Sequence, residues 1–375
     1  MPSSTPSSRR IPTIQLYNGL HNDGVEMSPS CRVIPTVQFH NGVEMPSSCR
    51  VIPTIQLHNG VEMPQMSLGL AFCNVREGGM RHNPRFTGFM PEQCYRSLHM
   101  ALHAGIRGID TALLYRTHPQ IRHVLGDWLA SGKVKREDLF VATKVYHPMI
   151  PIALPSSALP ENLDHLTPQQ VTKIVTLQVE RSLDELGLGY LDLVFLHSPA
   201  GHNSADPGNS ERRVAAWKVL EGFYEKGWIR AIGVSNFSEH HLEDLIHNDT
   251  TNIVPMVNQI EASVYLQWDK IVEYCHAHNI LVQAFSPLGH GASNVISDEY
   301  VLEIAKKHDK DADQIAMRYL VQKGFALTFS PRSEKRLSTN QDIFQFELDD
   351  DDMDALDALN GTTETTGQPS PYDMS

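Results

Sequence analysis

The chain has 375 residues, 41% of them apolar, with an ordinary 24 Gly and 23 Pro. It can bury a sizeable core, and wholly disordered or collagen-like classes are excluded. With 31 basic against 44 acidic residues the formal charge is -13, which argues against nucleic acid or an anionic membrane as a partner and leaves room for a local phosphate pocket.

The N-terminal stretch repeats itself. Ile11, Ile34 and Ile52 each open a copy of I-P-T-x-Q-x-x-N-G, separated by closely similar linkers containing Ser-Cys-Arg. Each copy reads as a short β-prone run and a tight Asn-Gly turn, too small to close a core of its own. Near identity down to the linkers points to duplicated coding sequence. The expected division is a flexible leader over 1–51, one folded domain over 52–361 and a polar tail over 362–375. The last copy is expected to form a short β-hairpin at the entrance of the domain.

From residue 68 onward short apolar runs alternate with segments of helical period. Strands are expected near 69–73, 106–110, 140–144, 192–197, 230–235, 254–258, 280–285 and 325–329. Helices are expected near 91–104, 118–131, 168–186, 211–226, 238–247, 268–278, 298–309 and 312–323. Pro91 suits the first turn of a helix that Gly105 ends, and Thr167 precedes Pro168 as an N-cap. Asp349–Asp352 followed by Met353, Leu356 and Leu359 reads as an amphipathic terminal helix. Eight strand–helix alternations over about 300 residues fit a closed (β/α)8 TIM barrel, with the N-terminal hairpin closing the barrel floor and helices at the C-terminal end. A doubly wound sheet is the runner-up, but no GxGxxG occurs to support it.

In such a barrel the chemistry sits at the C-terminal strand ends. The polar residues there are Asp110, with Tyr115 just beyond it, Lys144, His197, Ser235, Asn236, Asn258, Gln259, Glu261 and Ser286. A tyrosine hydroxyl titrates near 10, so a nearby ammonium is needed to make it a useful acid at neutral pH. Lys144 can supply that charge, Asp110 can hold the lysine, and His197 can orient a carbonyl oxygen. Together they form a candidate proton-donating site for a carbonyl. None of these side chains can deliver a hydride, so a reduced cofactor is required.

The chain resembles the aldo-keto reductases from about residue 53 to residue 361. The resemblance rests on GIRGIDTALLYR from Gly105 to Arg116, FVATK ending at Lys144, YLDLVFLHSP around His197, IGVSNF around Ser235 and Asn236, VNQIE around Gln259, and AFSPLG from Ala284, in family order. It implies an NADPH-dependent aldehyde or carbonyl reductase in which Asp110, Tyr115, Lys144 and His197 are catalytic, Tyr115 being the general acid. It implies that Ser235, Asn236 and Gln259 hold the nicotinamide carboxamide, that Phe285 stacks on the ring, and that Ser286 and Leu288 line the cofactor. Arg336 and Asn340 match the family's contacts to the adenosine phosphate end. Ser330 and Pro331 stand where Lys and Ser are expected, with Arg332 as a replacement cation, so NADPH is favoured and NADH is the less favoured cofactor. Ser198 stands where many members carry Trp. With the short tail, this predicts an open pocket for small or moderate aldehydes and activated ketones.

Two other functional classes compete with this one. A redox-sensing or regulatory subunit of the same fold would not need all four catalytic positions, which are present. A Schiff-base lyase or isomerase would favour a lysine lacking a carboxylate partner. The 19 histidines form neither HExxH nor a Cys-His array, so no metal is expected. Five cysteines without CxxC spacing, and an N-terminus lacking the apolar core of a signal peptide, point to a reducing, cytoplasmic setting. The expected partner is a small-molecule carbonyl, with no membrane, nucleic acid or obligate protein partner and a monomeric enzyme.

Overall fold

The computed structural model describes residues 52–71, 91–146, 166–200, 206–289, 294–331 and 333–361. The leader 1–51, the tail 362–375 and Arg332 lie outside the described residues.

Ten strands and ten helices are described. A two-stranded antiparallel hairpin, β1 (Thr54–Gln56) and β2 (Glu62–Pro64), comes first. Eight parallel strands then close into a barrel: β3 (Met66–Gly69), β4 (Gly108–Asp110), β5 (Phe140–Val145), β6 (Leu191–Leu196), β7 (Ile229–Ser235), β8 (Val257–Glu261), β9 (Leu281–Phe285) and β10 (Ala326–Phe329), with β10 pairing back to β3. The helices are α1 (Pro91–His103), α2 (His118–Ala130), α3 (Pro168–Leu186), α4 (Asn209–Glu225), α5 (Glu239–Ile246), α6 (Asp269–Ala277), α7 (Glu299–His308), α8 (Ala312–Gln322), α9 (Glu334–Gln341) and α10 (Asp350–Asp357).

The expected (β/α)8 barrel is therefore observed, with the hairpin and terminal helices added. Two strands start elsewhere than hydropathy predicts. The first runs over Met66–Gly69, ahead of the 69–73 run. The strand sought at 254–258 occupies Val257–Glu261, because Pro255 has no N–H for a ladder bond and pairing begins beyond it.

Local chemistry fixes the helix ends. Thr167 and Gln170 cap each other's backbone at the start of α3, and Gly187 ends it in the left-handed region at φ 63°. Asp349 and Asp352 do the same for α10, so the acidic run is a helix start and the expected amphipathic turn follows.

The hairpin meets the N-terminal ends of the strands. Asn59 donates to the Arg230 carbonyl at 2.9 Å, and the His58 ring lies 3.3 Å from the Val254 carbonyl. At the same end Asp192, fully buried, pairs with Arg136 at 2.7 Å and Arg230 at 2.8 Å, and accepts from the Val141 amide. Three elements are locked together below the barrel, which leaves the opposite rim for chemistry. Gly233 allows β7 to sit against its neighbours: a Cβ there would lie 2.7 Å from the Val257 carbonyl and 3.0 Å from the Phe195 ring.

Candidate active site

Strand alternation decides which residues face the barrel axis. In β5, Lys144 is 1% exposed and its ammonium pairs with Asp110 at the end of β4. The same ammonium donates to the Thr111 carbonyl at 3.1 Å. Burial lowers the lysine pKa, and the Asp110 carboxylate opposes that shift.

After Asp110 the chain makes a single 3-10 turn, Leu113–Tyr115, and reverses at Arg116, whose φ is 58°. Thr111 and Thr117 close this loop through their hydroxyls, 2.7 Å apart. The turn carries the Tyr115 ring to 5.2 Å from the Lys144 ammonium, measured to the ring centroid. The Tyr115 hydroxyl lies 3.5 Å from His197 Nε2, at the long limit of a hydrogen bond.

His197 follows β6 directly and is partly exposed, yet its Nδ1 is buried without a hydrogen-bond partner among the described residues. Burial, and then the charge of Lys144, hold its pKa well below 6.5. The imidazole is therefore neutral at neutral pH and can donate to an oxygen without carrying a charge. The four residues singled out in sequence thus stand together on one rim, drawn from β4, its following turn, β5 and β6.

The neighbouring rim holds the amide-rich group. Ser235 ends β7 and donates to the Gln259 carbonyl at 2.9 Å. Asn236, held at φ 64°, donates to the His197 carbonyl at 3.0 Å and to Ser235 Oγ at 3.2 Å. Gln259 donates to Asp110 and, at 2.7 Å, to Gln283. Phe285 ends β9 half-buried, Ser286 follows at φ 52°, and Leu288 packs on the core. Arg336 is exposed on α9, near the start of the helix. Asn340, one turn on, is buried; with its amide turned to satisfy both atoms, it donates to the Arg336 carbonyl and to Asp313. Ser330 donates to the Gly69 carbonyl at 2.7 Å and ties β10 to β3.

Sequence reasoning missed several contributors. Gln283 was a lone polar residue inside an apolar strand, and that was a usable signal. Tyr146, whose ring lies tilted at 4.4 Å from that of His197, and Gln178, which holds its backbone, had none. His118 is fully buried between Glu185 and Thr143, at 3.1 and 3.0 Å, and joins α2 and α3 to the strand of Lys144.

Residues 76–361 match the profile described as the Aldo/keto reductase family. The chain belongs to that family. It is 34% identical over 264 residues to a glyoxal reductase of Bacillus subtilis, an alignment covering 70% of this chain and 82% of that protein. It is 31% identical over 282 residues to aldose reductase B of Dictyostelium discoideum, covering 71% and 84% of the two chains. Among solved structures, an aldo-keto reductase of Bombyx mori in complex with NADP superposes with a TM-score of 0.67 at 27% identity, over 84% of this chain and 94% of that one.

Proposed function

We propose that the protein reduces aldehydes and activated ketones to alcohols with NADPH, Tyr115 giving the proton to the carbonyl oxygen. The observation that carries this reading is the Tyr115 hydroxyl 3.5 Å from neutral His197, with the Asp110-paired Lys144 ammonium 5.2 Å from the centre of the Tyr115 ring.

The chain is an oxidoreductase of the aldo/keto reductase class, and NADP(H) is its cofactor. The rim fits that group. It offers amide and hydroxyl groups at Ser235, Asn236 and Gln259, an aromatic face at Phe285 and an exposed guanidinium at Arg336, a set suited to a carboxamide, a flat ring and a phosphate. The bound dinucleotide supplies the hydride. Arg336 would hold the 2′-phosphate, and Asn340 supports the helix that carries it.

The protein's own residues manage the proton and the carbonyl. His197, neutral, donates from Nε2 to the carbonyl oxygen and fixes its direction. Lys144 stabilises negative charge on Tyr115 oxygen as its proton leaves, and Asp110 keeps the ammonium charged and aimed. Buried side chains around Lys144 exclude water and strengthen these interactions.

Ser198 in place of a large aromatic supports small and moderate substrates. The Bacillus relative named as a glyoxal reductase supports 2-oxo aldehydes within that class. No helix among the described residues is long and apolar enough to cross a membrane. The buried, unbridged thiols of Cys94 and Cys275 support a reducing, cytoplasmic setting. Among the described residues no group of three or more His, Cys, Asp or Glu is placed to hold a metal ion.

The test is purified full-length protein mixed with NADPH and short aliphatic, aromatic and 2-oxo aldehydes, followed at the nicotinamide absorbance. Consumption with at least one class is expected; none with any class would refute the reading.

A further inference from the structure

Among the described residues, the imidazole of His197 lacks the usual means of fixing a ring. A functional histidine is commonly oriented by a hydrogen bond at the nitrogen that does no chemistry. Here Nδ1 is buried and has no such partner among the described residues. Two tyrosine rings take that place. Tyr115 meets the imidazole edge-on, at 5.6 Å and 84°. Tyr146 lies across its face, at 4.4 Å and 35°.

Tyr146 is in turn held from outside the barrel. Gln178, 4% exposed on α3, accepts from the Tyr146 amide at 2.7 Å and donates to the Tyr146 carbonyl at 3.1 Å. One side-chain amide thereby satisfies both backbone groups of a single residue, as a neighbouring strand would, and extends the order of β5 one residue past Val145.

We infer that Gln178 and Tyr146 are positioning residues for His197: Gln178 clamps the backbone of Tyr146, whose ring holds the imidazole with Nε2 directed at the Tyr115 hydroxyl and the substrate oxygen. The inference rests on the reductase reading, since it concerns how the carbonyl is oriented. The hydroxyl of Tyr146 plays no part in it; the ring does. Loss of the ring frees the imidazole to rotate, which lowers kcat more than it alters cofactor binding. The titratable groups facing the imidazole are Tyr115, Tyr146 and Lys144, with Asp110 behind the lysine. With Tyr146 gone, water reaches the ring and its pKa rises toward the ordinary 6.5. Protonation then adds an acid limb to the kcat profile that the parent lacks.

The experiment compares the parent with Tyr146→Ala, Tyr146→Phe and Gln178→Leu in the full chain. It reads kcat, KM, NADPH Kd, Tm and the pH profile, together with the His197 ring-proton shifts in histidine-labelled protein. For Tyr146→Ala the expectation is a kcat at least tenfold lower, an NADPH Kd within twofold of the parent, the new acid limb and loss of the ring-current shift. Tyr146→Phe should restore kcat to within threefold and keep the shift, and Gln178→Leu should move both readouts toward Tyr146→Ala. Parent-like kcat and ring shifts in Tyr146→Ala would overturn the inference. So would a Phe variant as damaged as the Ala one, or losses that track Tm and cofactor Kd. A parent with no turnover sinks the reductase reading instead, and the ring shifts still decide whether Tyr146 holds His197.

Discussion

The amide nitrogen of Gln259 stands between Asp110 and Gln283, donating to the carboxylate of one and, at 2.7 Å, to the carbonyl of the other. Two acceptors on one nitrogen set the orientation of that amide, so Gln283 governs how Gln259 supports Asp110. All three are buried, Gln283 at 1% exposure. Replacing Gln283 by Leu is expected to cost about 1–3 kcal/mol of stability, through the partner left unsatisfied. It should also weaken cofactor binding, because Gln259 is then free to turn. Denaturant titration and NADPH titration of Gln283→Leu check both; an unchanged pair would show that the amide is held by other contacts.

Tyr115→Phe removes the hydroxyl and keeps the ring that packs against His197. General acids contribute roughly 10²–10⁴-fold. Turnover is therefore expected to fall by about that factor with NADPH affinity unchanged, read from initial rates and fluorescence quenching. Wild-type kcat in this variant would remove Tyr115 from the role.

Arg336, exposed near the start of α9, is the residue proposed above to clamp a 2′-phosphate. A charge-assisted hydrogen bond is worth about 1.5–3 kcal/mol. Arg336→Ala should thus weaken NADPH by roughly ten- to a hundredfold while leaving NADH unaffected. Competitive titration of the two cofactors decides it, and equal losses for both would contradict the assignment.

His118 links stability to pH. Burial lowers its pKa below 6.5, against the opposing effect of the hydrogen bond its ring donates to Glu185. As pH falls through 6.5 the unfolded chain takes up the proton before the folded one does. Stability is therefore lost below about pH 6.5, until the folded-state pKa is reached, at up to about 1.4 kcal/mol per pH unit for this group. His197, shifted in the same direction, adds to the slope. Denaturant midpoints between neutral and mildly acidic pH should show the decline, and His118→Gln should flatten it.

Asp192 has no exposed surface and faces both Arg136 and Arg230. Removing the carboxylate leaves two guanidinium groups opposed across the strand entry. Asp192→Ala is expected to cost about 3–5 kcal/mol, seen as a lower Tm, while the folded variant keeps its NADPH affinity because the pair lies at the far end of the barrel.

The sequence alone determined the alternation of strands and helices, and the identities of the groups at the strand ends. Hydrophobic period and capping are local, and so readable from consecutive residues. Asp110, Lys144 and His197 were legible because each polar side chain closes an apolar run, and period-two alternation puts such a residue at the rim. Pro255 was equally local, and reading it would have placed β8 correctly.

Only the tertiary structure decided which of these groups meet, and what holds them. Gln178 reaches Tyr146 from the outer helix layer, Asp192 gathers arginines from two other elements, and Gln283 sets an amide that itself supports Asp110. Each contact joins residues far apart in the chain, through side chains whose direction depends on how helices settle on the closed sheet. Barrel closure brings β10 beside β3 and turns separate strand ends into one rim. No local pattern encodes that closure, because it is a property of all eight strands at once.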